Sequence, residues 1–164
     1  GSVNNVFERF LSIARKTLPN YIIRVCADNP FVDPNEIDKL IEKAIYKKSD
    51  YIFNHIPYKN NNYIDGLGAE CFSGETIERL AKKNKTKIEK EHVTKYIWNN
   101  KKKFNFHYFL ASGTSQDNDR KLKLDIDYLE DYKLFGHIFK SYKGYPENLK
   151  LEYLLSKLNI NQYN

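Results

Sequence analysis

Apolar residues recur along this chain with two periods. Over residues 3–16, Val3, Val6, Phe7, Phe10, Leu11, Ile13 and Ala14 fall at the spacing of a helical face, and Pro19-Asn20 closes the segment. The run YIIRVCA that follows is almost continuously apolar, which predicts a strand buried on both faces of a parallel sheet. Asp33-Pro34-Asn35-Glu36 then carries a helix-start signal. Asp33 suits the cap, Pro34 the first helical position, and Glu36 the reciprocal position of a capping box. Ile37, Leu40, Ile41, Ala44 and Ile45 continue one apolar stripe towards Lys48, and SDYIFNHI predicts a second strand. A helix between two strands predicts a βαβ unit with a parallel pair.

The pattern continues in the same manner. Residues 57–68, PYKNNNYIDGLG, read as a loop, AECFS as a short strand, and Ser73 as the cap of a helix reaching about Lys83. KEHVTKYIWNN reads as one helix, KFNFHYFLA as a strand, SGTSQDNDR as a polar loop and KLKLDID as a further strand. LEDYKLFGHIFKSY is an amphipathic helix, and a last helix follows Pro146. No internal repeat is visible. The expectation is a single α/β domain over residues 1–164 with a mainly parallel sheet.

Composition narrows the class. With 164 residues, 41% hydrophobic and 29% charged, the chain can build a core of its own. Glycine and proline number only 7 and 5, which excludes low-complexity classes. No apolar run approaches the roughly 18–20 residues that span a bilayer, and the N-terminus lacks a signal-peptide pattern, so a cytoplasmic protein without membrane partners is expected. The net charge of +6 is compatible with nucleic acid, nucleotide phosphates or anionic surfaces. The lysine clusters AKKNKTKIEKE and NNKKKF are broken by glutamate or flanked by asparagine, which reads as a solvated helical face. No ordered motif of a nucleic-acid-binding fold is present, so that function ranks last. Cys26 and Cys71 lack metal-ligand spacing and read as buried, reduced thiols. Methionine is absent, which marks the chain as a processed product or a fragment.

Candidate chemistry sits where strands end. Asp28 in RVCADNP and Asp127 in LKLDIDYLEDY each follow a strand-like run and precede a helix. In open α/β sheets, ligands collect beyond the carboxyl ends of strands, and two carboxylates meeting there would suit Mg²⁺ and a nucleotide's phosphates. The plain alternative for each is an N-cap or an Asx-turn. Asp65-Gly66 permits a tight turn beside a ligand, with Glu70 on the strand leaving it; the alternative is a surface turn. His92, beside Glu91, could bind a substrate hydroxyl or carboxylate or shuttle a proton, although a lone helical histidine more often packs or caps.

Five segments in order resemble a known family, the cytidylyltransferases related to spore-coat polysaccharide biosynthesis proteins, relatives of the CMP-sugar synthetases. GSVNNVFERF resembles its Gly-Ser-x-x-Asp-Val-Leu-x-Arg segment. RVCADNPFVDP resembles Arg-Val-x-x-Asp-x-Pro followed by two hydrophobic residues and x-Pro. YIDGLGAECFS resembles Pro-Asp-Gly-Leu-Asp-x-Glu-x-Phe, EKEHVTKYIW resembles Glu-x-Glu-His-Val-Thr-x-Tyr-Ile, and LKLDIDYLEDY resembles Leu-Thr-x-Asp-x-Pro-Glu-Asp-Phe.

The resemblance implies the nucleotide-diphospho-sugar transferase fold, an α/β/α sandwich, of which this chain is the C-terminal portion. It implies transfer of CMP from CTP to a sugar or sugar acid with release of pyrophosphate, for surface polysaccharide synthesis, by a homodimer. It carries catalytic and Mg²⁺-binding roles to Asp28 and Asp127, and substrate-side roles to Arg24, Asp65, Glu70, Glu91 and His92. Two positions depart from the family pattern: Gly68 replaces a loop aspartate and Leu129 a proline. The family's first strand and its Arg-, Ser-, Pro- and Lys-rich nucleotide loop have no counterpart in these residues, which implies a longer parent domain. A non-catalytic sugar-nucleotide-binding or dimerisation module of the same fold is the alternative.

Overall fold

The computed structural model describes residues 4–56, 58–59, 61–83, 85–110, 122–144, 149 and 151–161. Helix α1 spans Val6–Thr17, and the Asn5 side chain accepts the Glu8 N–H at its start. Strand β1, Tyr21–Arg24, leads to helix α2, Pro34–Lys47, and then to β2, Tyr51–Phe53. Strand β3, Glu70–Ser73, runs into helix α3, Gly74–Ala81, where Ser73 Oγ accepts the Thr76 N–H at 3.0 Å. Short helices α4, Lys87–Glu91, and α5, Lys95–Asn99, precede β4, Phe106–Tyr108. Helices α6, Leu129–Ser141, and α7, Leu151–Asn161, complete the chain. The expected polar loop over residues 112–120 lies outside the described residues.

The sheet has the order β1-β3-β2-β4. Strand β3 is antiparallel to both β1 and β2, and β2 is parallel to β4. The sheet is therefore mixed rather than mainly parallel in its pairings. Strands β1, β2 and β4 do point the same way, as the βαβ reading requires. However, β1 and β2 are not neighbours, because β3 occupies the place between them.

Side chains alternate across this sheet with the two-residue period of a strand. Tyr51, Phe53 and Phe72 join Phe7, Leu11 and Ala14 of α1 and Ile77 and Leu80 of α3 in one core. Ile52 and Cys71 point the other way, into a second core with Leu40 and Ala44 of α2, Phe135 and Ile138 of α6, and Leu154 of α7. Helices thus cover both faces, as a layered α/β fold demands. Strand β1 lies at the edge of the sheet and is only half-buried, against the expectation of full burial. Cys71 is buried and Cys26 half-buried, and both are free thiols.

Three local expectations change. Asp33 caps α2 by accepting the Asn35 N–H at 2.8 Å, but Glu36 does not close a capping box. Its carboxylate is buried and meets the Tyr63 hydroxyl and, at 2.7 Å, the Lys39 ammonium. The expected single helix over KEHVTKYIWNN is broken between Glu91 and Lys95. There Val93 enters the core and Thr94 Oγ1 turns inward to Glu70. Among the described residues, the expected strand KLKLDID forms an isolated parallel bridge, between Lys123 and Asp65, rather than a ladder. Its next backbone bond goes to a loop instead: Ile126 N–H donates to the Asp28 carbonyl at 2.8 Å.

Candidate active site

Strands β1, β2 and β4 end at one edge of the sheet, and β3 begins there. Register places Arg24 opposite Glu70 across the β1–β3 ladder. Their side chains form an ion pair in which the carboxylate is almost fully buried and the guanidinium keeps 23% exposure. Glu70 also accepts from Tyr51 Oη at 2.6 Å and Thr94 Oγ1 at 2.7 Å, and Trp98 Nε1 donates to Tyr51 Oη at 2.9 Å. Burial acts to raise the Glu70 pKa. The neighbouring His55 and Arg24 and the two hydroxyl donors outweigh that effect and hold it below its ordinary value. Burial next to this carboxylate drives the Tyr51 hydroxyl well above the usual phenol range.

The opposite part of the edge is acidic. Gly66, with φ of 82°, turns the chain so that its N–H donates to the His55 carbonyl at 3.0 Å. A Cβ there would lie 2.7 Å from the Asp125 nitrogen, so glycine allows this close approach. The Leu124 N–H donates to the Asp65 carbonyl at 2.9 Å, which brings Asp65 beside Asp125 and Asp127. Burial, and then the Asp125 charge, raise the Asp65 carboxyl to about 6. Lys123 lies between the other two aspartates, 3.2 Å from Asp125 Oδ2 and in contact with Asp127. Asp131, in the first turn of α6, accepts the N–H groups of Asp127 and Tyr128 at 3.0 and 2.8 Å, which fixes the Asp127 backbone.

Of the residues singled out in the sequence, Arg24 and Glu70 are thus in direct contact. Asp28, Asp65 and Asp127 lie on adjoining backbone segments. His92 is exposed at the end of α4 and lines an open cleft of about 270 Å³ with Thr94, Lys95 and Trp98. Thr94 connects that cleft to Glu70. Glu91 is exposed on the last turn of α4 and takes no part in this network.

Among the described residues, no group of three or more His, Cys, Asp or Glu side chains gathers to hold a metal. The edge offers exposed Asp28, whose carbonyl accepts the Ile126 N–H, and, next to Ile126 in the chain, half-exposed Asp127, whose carboxylate is paired with Lys123. Carboxylates are the donor type Mg²⁺ takes, one or two together with several waters and substrate phosphates.

Sequence reasoning missed Tyr51, His55, Thr94, Trp98 and Asp125. For Asp125 a signal existed, since positions 125 and 127 alternate in KLKLDID and so share a side. Tyr51 and His55 belong to no local motif; Thr94 and Trp98 fall within EKEHVTKYIW, but only tertiary packing joins them to Glu70 and Tyr51. The Gly68 departure also acquires a cause. A Cβ at Gly68 would sit 2.2 Å from both the backbone and side-chain oxygens of Asn54, which fills that space. Asn54 is itself fully buried and accepts the Ala69 N–H at 2.9 Å.

Comparison with known proteins supports the family and the fold. The sequence profile of the family described as Cytidylyltransferase matches residues 1–159. The chain is 30% identical over 142 residues to uncharacterized protein MJ1063 of Methanocaldococcus jannaschii, covering 87% of this chain and 55% of that one. It is 26% identical over 162 residues to spore coat polysaccharide biosynthesis protein SpsF of Bacillus subtilis, covering 98% and 64%. In structure it resembles a cytidylyltransferase from Leptospira borgpetersenii, with a TM-score of 0.84 at 23% identity over 99% of this chain and 66% of that one. The chain therefore spans between 55% and 66% of the length of these relatives. Among the described residues no helix is long and apolar enough to cross a membrane. On the match that runs from residue 1 to residue 159, this chain belongs to the cytidylyltransferase family.

Proposed function

We propose that the full-length protein transfers CMP from CTP to a hydroxyl of a sugar or sugar acid, with release of pyrophosphate, in surface polysaccharide synthesis. The observation that carries this reading is the meeting of the Arg24–Glu70 pair and the Asp28 and Asp127 segments at one sheet edge, in a chain of this family. The name of SpsF supports the polysaccharide setting.

In this reading Asp28 and Asp127 hold Mg²⁺. The chemistry that the ion supplies when bound is neutralisation of charge on the phosphate oxygens. Arg24 and Glu70 form a rigid polar wall that orients the acceptor, and Asp65 lies on the turn next to it. His92 contributes from the cleft joined to Glu70 through Thr94. Transfer then consists of attack by the acceptor hydroxyl on the α-phosphorus and departure of pyrophosphate, with positioning as the protein's main contribution. Gly68 favours a second reading, a sugar-nucleotide-binding module without catalysis, because it removes a carboxylate from the loop.

The test is pyrophosphate release from CTP by the full-length protein with a panel of sugars and sugar acids. Asp28→Asn and Asp127→Asn should each lower the rate by about a hundredfold or more. Undiminished turnover in both variants would dismiss the metal role, and nucleotide binding without turnover in the wild type would favour the second reading.

A further inference from the structure

His55 follows β2 at the same sheet edge and is 9% exposed. Its Nδ1 is buried and has no hydrogen-bond partner among the described residues. Native proteins pair nearly all such atoms, so an orphaned one marks either an ordered water or a place kept for a ligand. The ring packs edge-on against Phe53, with centroids 5.6 Å apart, which restrains its orientation. Its backbone carbonyl holds the Gly66 N–H at 3.0 Å, so the residue also anchors the Asp65 turn. His55 therefore stands between the two parts of the candidate site.

The charges around the ring identify the kind of group it can receive. Among the described residues, Glu70 on β3, Arg24 on β1 and Asp28 on the loop after β1 are the charged groups that act on it. Their formal sum is one negative charge. Burial, helped by Arg24, lowers the ring's pKa against the pull of Glu70 and Asp28, so the imidazole is neutral near pH 7. An incoming carboxylate or phosphate would meet a neutral ring and a net negative surround. A hydroxyl suits the place better, since it can donate to an unprotonated nitrogen or accept from a protonated one.

We propose that His55 is a substrate-contacting residue whose Nδ1 hydrogen-bonds a hydroxyl group of the polyhydroxy acceptor, between the Arg24–Glu70 pair and the Asp28 loop. This rests on the sugar-acceptor reading of the site. It adds that the group seated against β2 is a hydroxyl, not the acceptor's carboxylate. Asparagine can present a polar atom near the position of Nδ1, whereas phenylalanine keeps the ring and loses the polar atom.

The full-length protein, ¹⁵N-labelled on histidine, would be titrated with glycerol, D-mannose, N-acetyl-D-glucosamine, D-glucuronic acid and N-acetylneuraminic acid, with and without CMP and Mg²⁺. The His55 resonance, assigned by its loss in His55→Asn, should move saturably with at least one polyol or sugar. No movement with any of them, or movement only with the acids, overturns the inference and leaves Nδ1 to a structural water. In the pyrophosphate assay, His55→Phe should raise the KM for the acceptor tenfold or more while the KM for CTP stays constant, and His55→Asn should restore most of it. Equal acceptor KM in all three proteins also overturns the inference. Should His55→Phe fail to fold, the resonance titration of the wild type decides alone. Absence of pyrophosphate release with every sugar would remove the transferase reading, while the resonance titration still decides the hydroxyl contact.

Discussion

Arg24 and Glu70 are register partners across an antiparallel ladder, and their charged groups meet at the end of it. Glu70 is 2% exposed and would be an expensive place for a lone carboxylate. Replacing Arg24 by methionine keeps the aliphatic bulk and strands that charge. We expect a loss of roughly 3 kcal/mol, the low end for breaking a buried pair because the guanidinium retains some solvent. Glu70→Gln in the same background should recover part of it. Chemical denaturation of the two single variants and the double variant measures the coupling, and strictly additive losses would count against a direct pair.

Tyr51 links that carboxylate to the indole of the chain's single tryptophan. Tyr51→Phe keeps the packing but leaves Trp98 Nε1 without its acceptor and Glu70 without one of its donors. A cost of about 1–3 kcal/mol is expected for these stranded groups. Because Trp98 is the only indole, its fluorescence reports the site directly, and the emission spectrum should change in the folded variant. An unchanged spectrum would mean that the bond is not made in solution.

Asp65 gives the pH dependence. Its carboxyl titrates near 6 in the folded chain against an ordinary 3.8, so the folded state holds a proton that the unfolded state has already released between those values. Stability from this group is therefore present below about pH 4 and is lost as pH rises towards 6. Asp65→Asn should remove that dependence and stabilise the protein near pH 7 by about 1 kcal/mol, a figure reduced for the solvent that screens a half-buried group. Parallel stability curves from pH 4 to 7 for the two proteins would contradict the raised value.

Gly68 is bound by sterics rather than by backbone conformation. Gly68→Ala should cost about 1–3 kcal/mol through overpacking against Asn54. Asn54→Ala in that background should fail to rescue it, because the Asn54 backbone oxygen, also 2.2 Å from the new carbon, remains. Thermal unfolding of the single and double variants tests this. Full rescue would locate the clash in the side chain alone.

Much of this was legible in the sequence, for reasons that differ by element. The stripe in α1 and the Asp33-Pro34 start of α2 are local signals, and both elements form where those signals lie. Glu36 carries the same local signal as a capping-box residue, yet Tyr63, 27 positions away, captures it in the core. The alternation of KLKLDID is real, but a strand also needs a neighbour, and these backbone groups pair with the Asp65 and Asp28 loops. The direction of β1 and β2 followed from the intervening helix. Their separation did not, because the position of β3 is decided by partners on both of its sides. For the site, Arg24, Asp28, Asp65, Glu70 and Asp127 were marked by strand ends, turns and family resemblance, whereas His55 and Tyr51 had no motif around them.

The reversed strand between β1 and β2 has a consequence for how the molecule assembles. A nascent chain that has reached Phe53 holds both outer strands of this trio and nothing to join them. The ladder closes only when Glu70–Ser73 is threaded into the gap and pairs on both sides. Arrival of that segment also delivers Glu70 to Arg24 and to Tyr51. Joining of β1 to β2 and the meeting of Arg24, Glu70 and Tyr51 are therefore one event, while β4 and the Thr94 and Trp98 contacts are contributed by later parts of the chain.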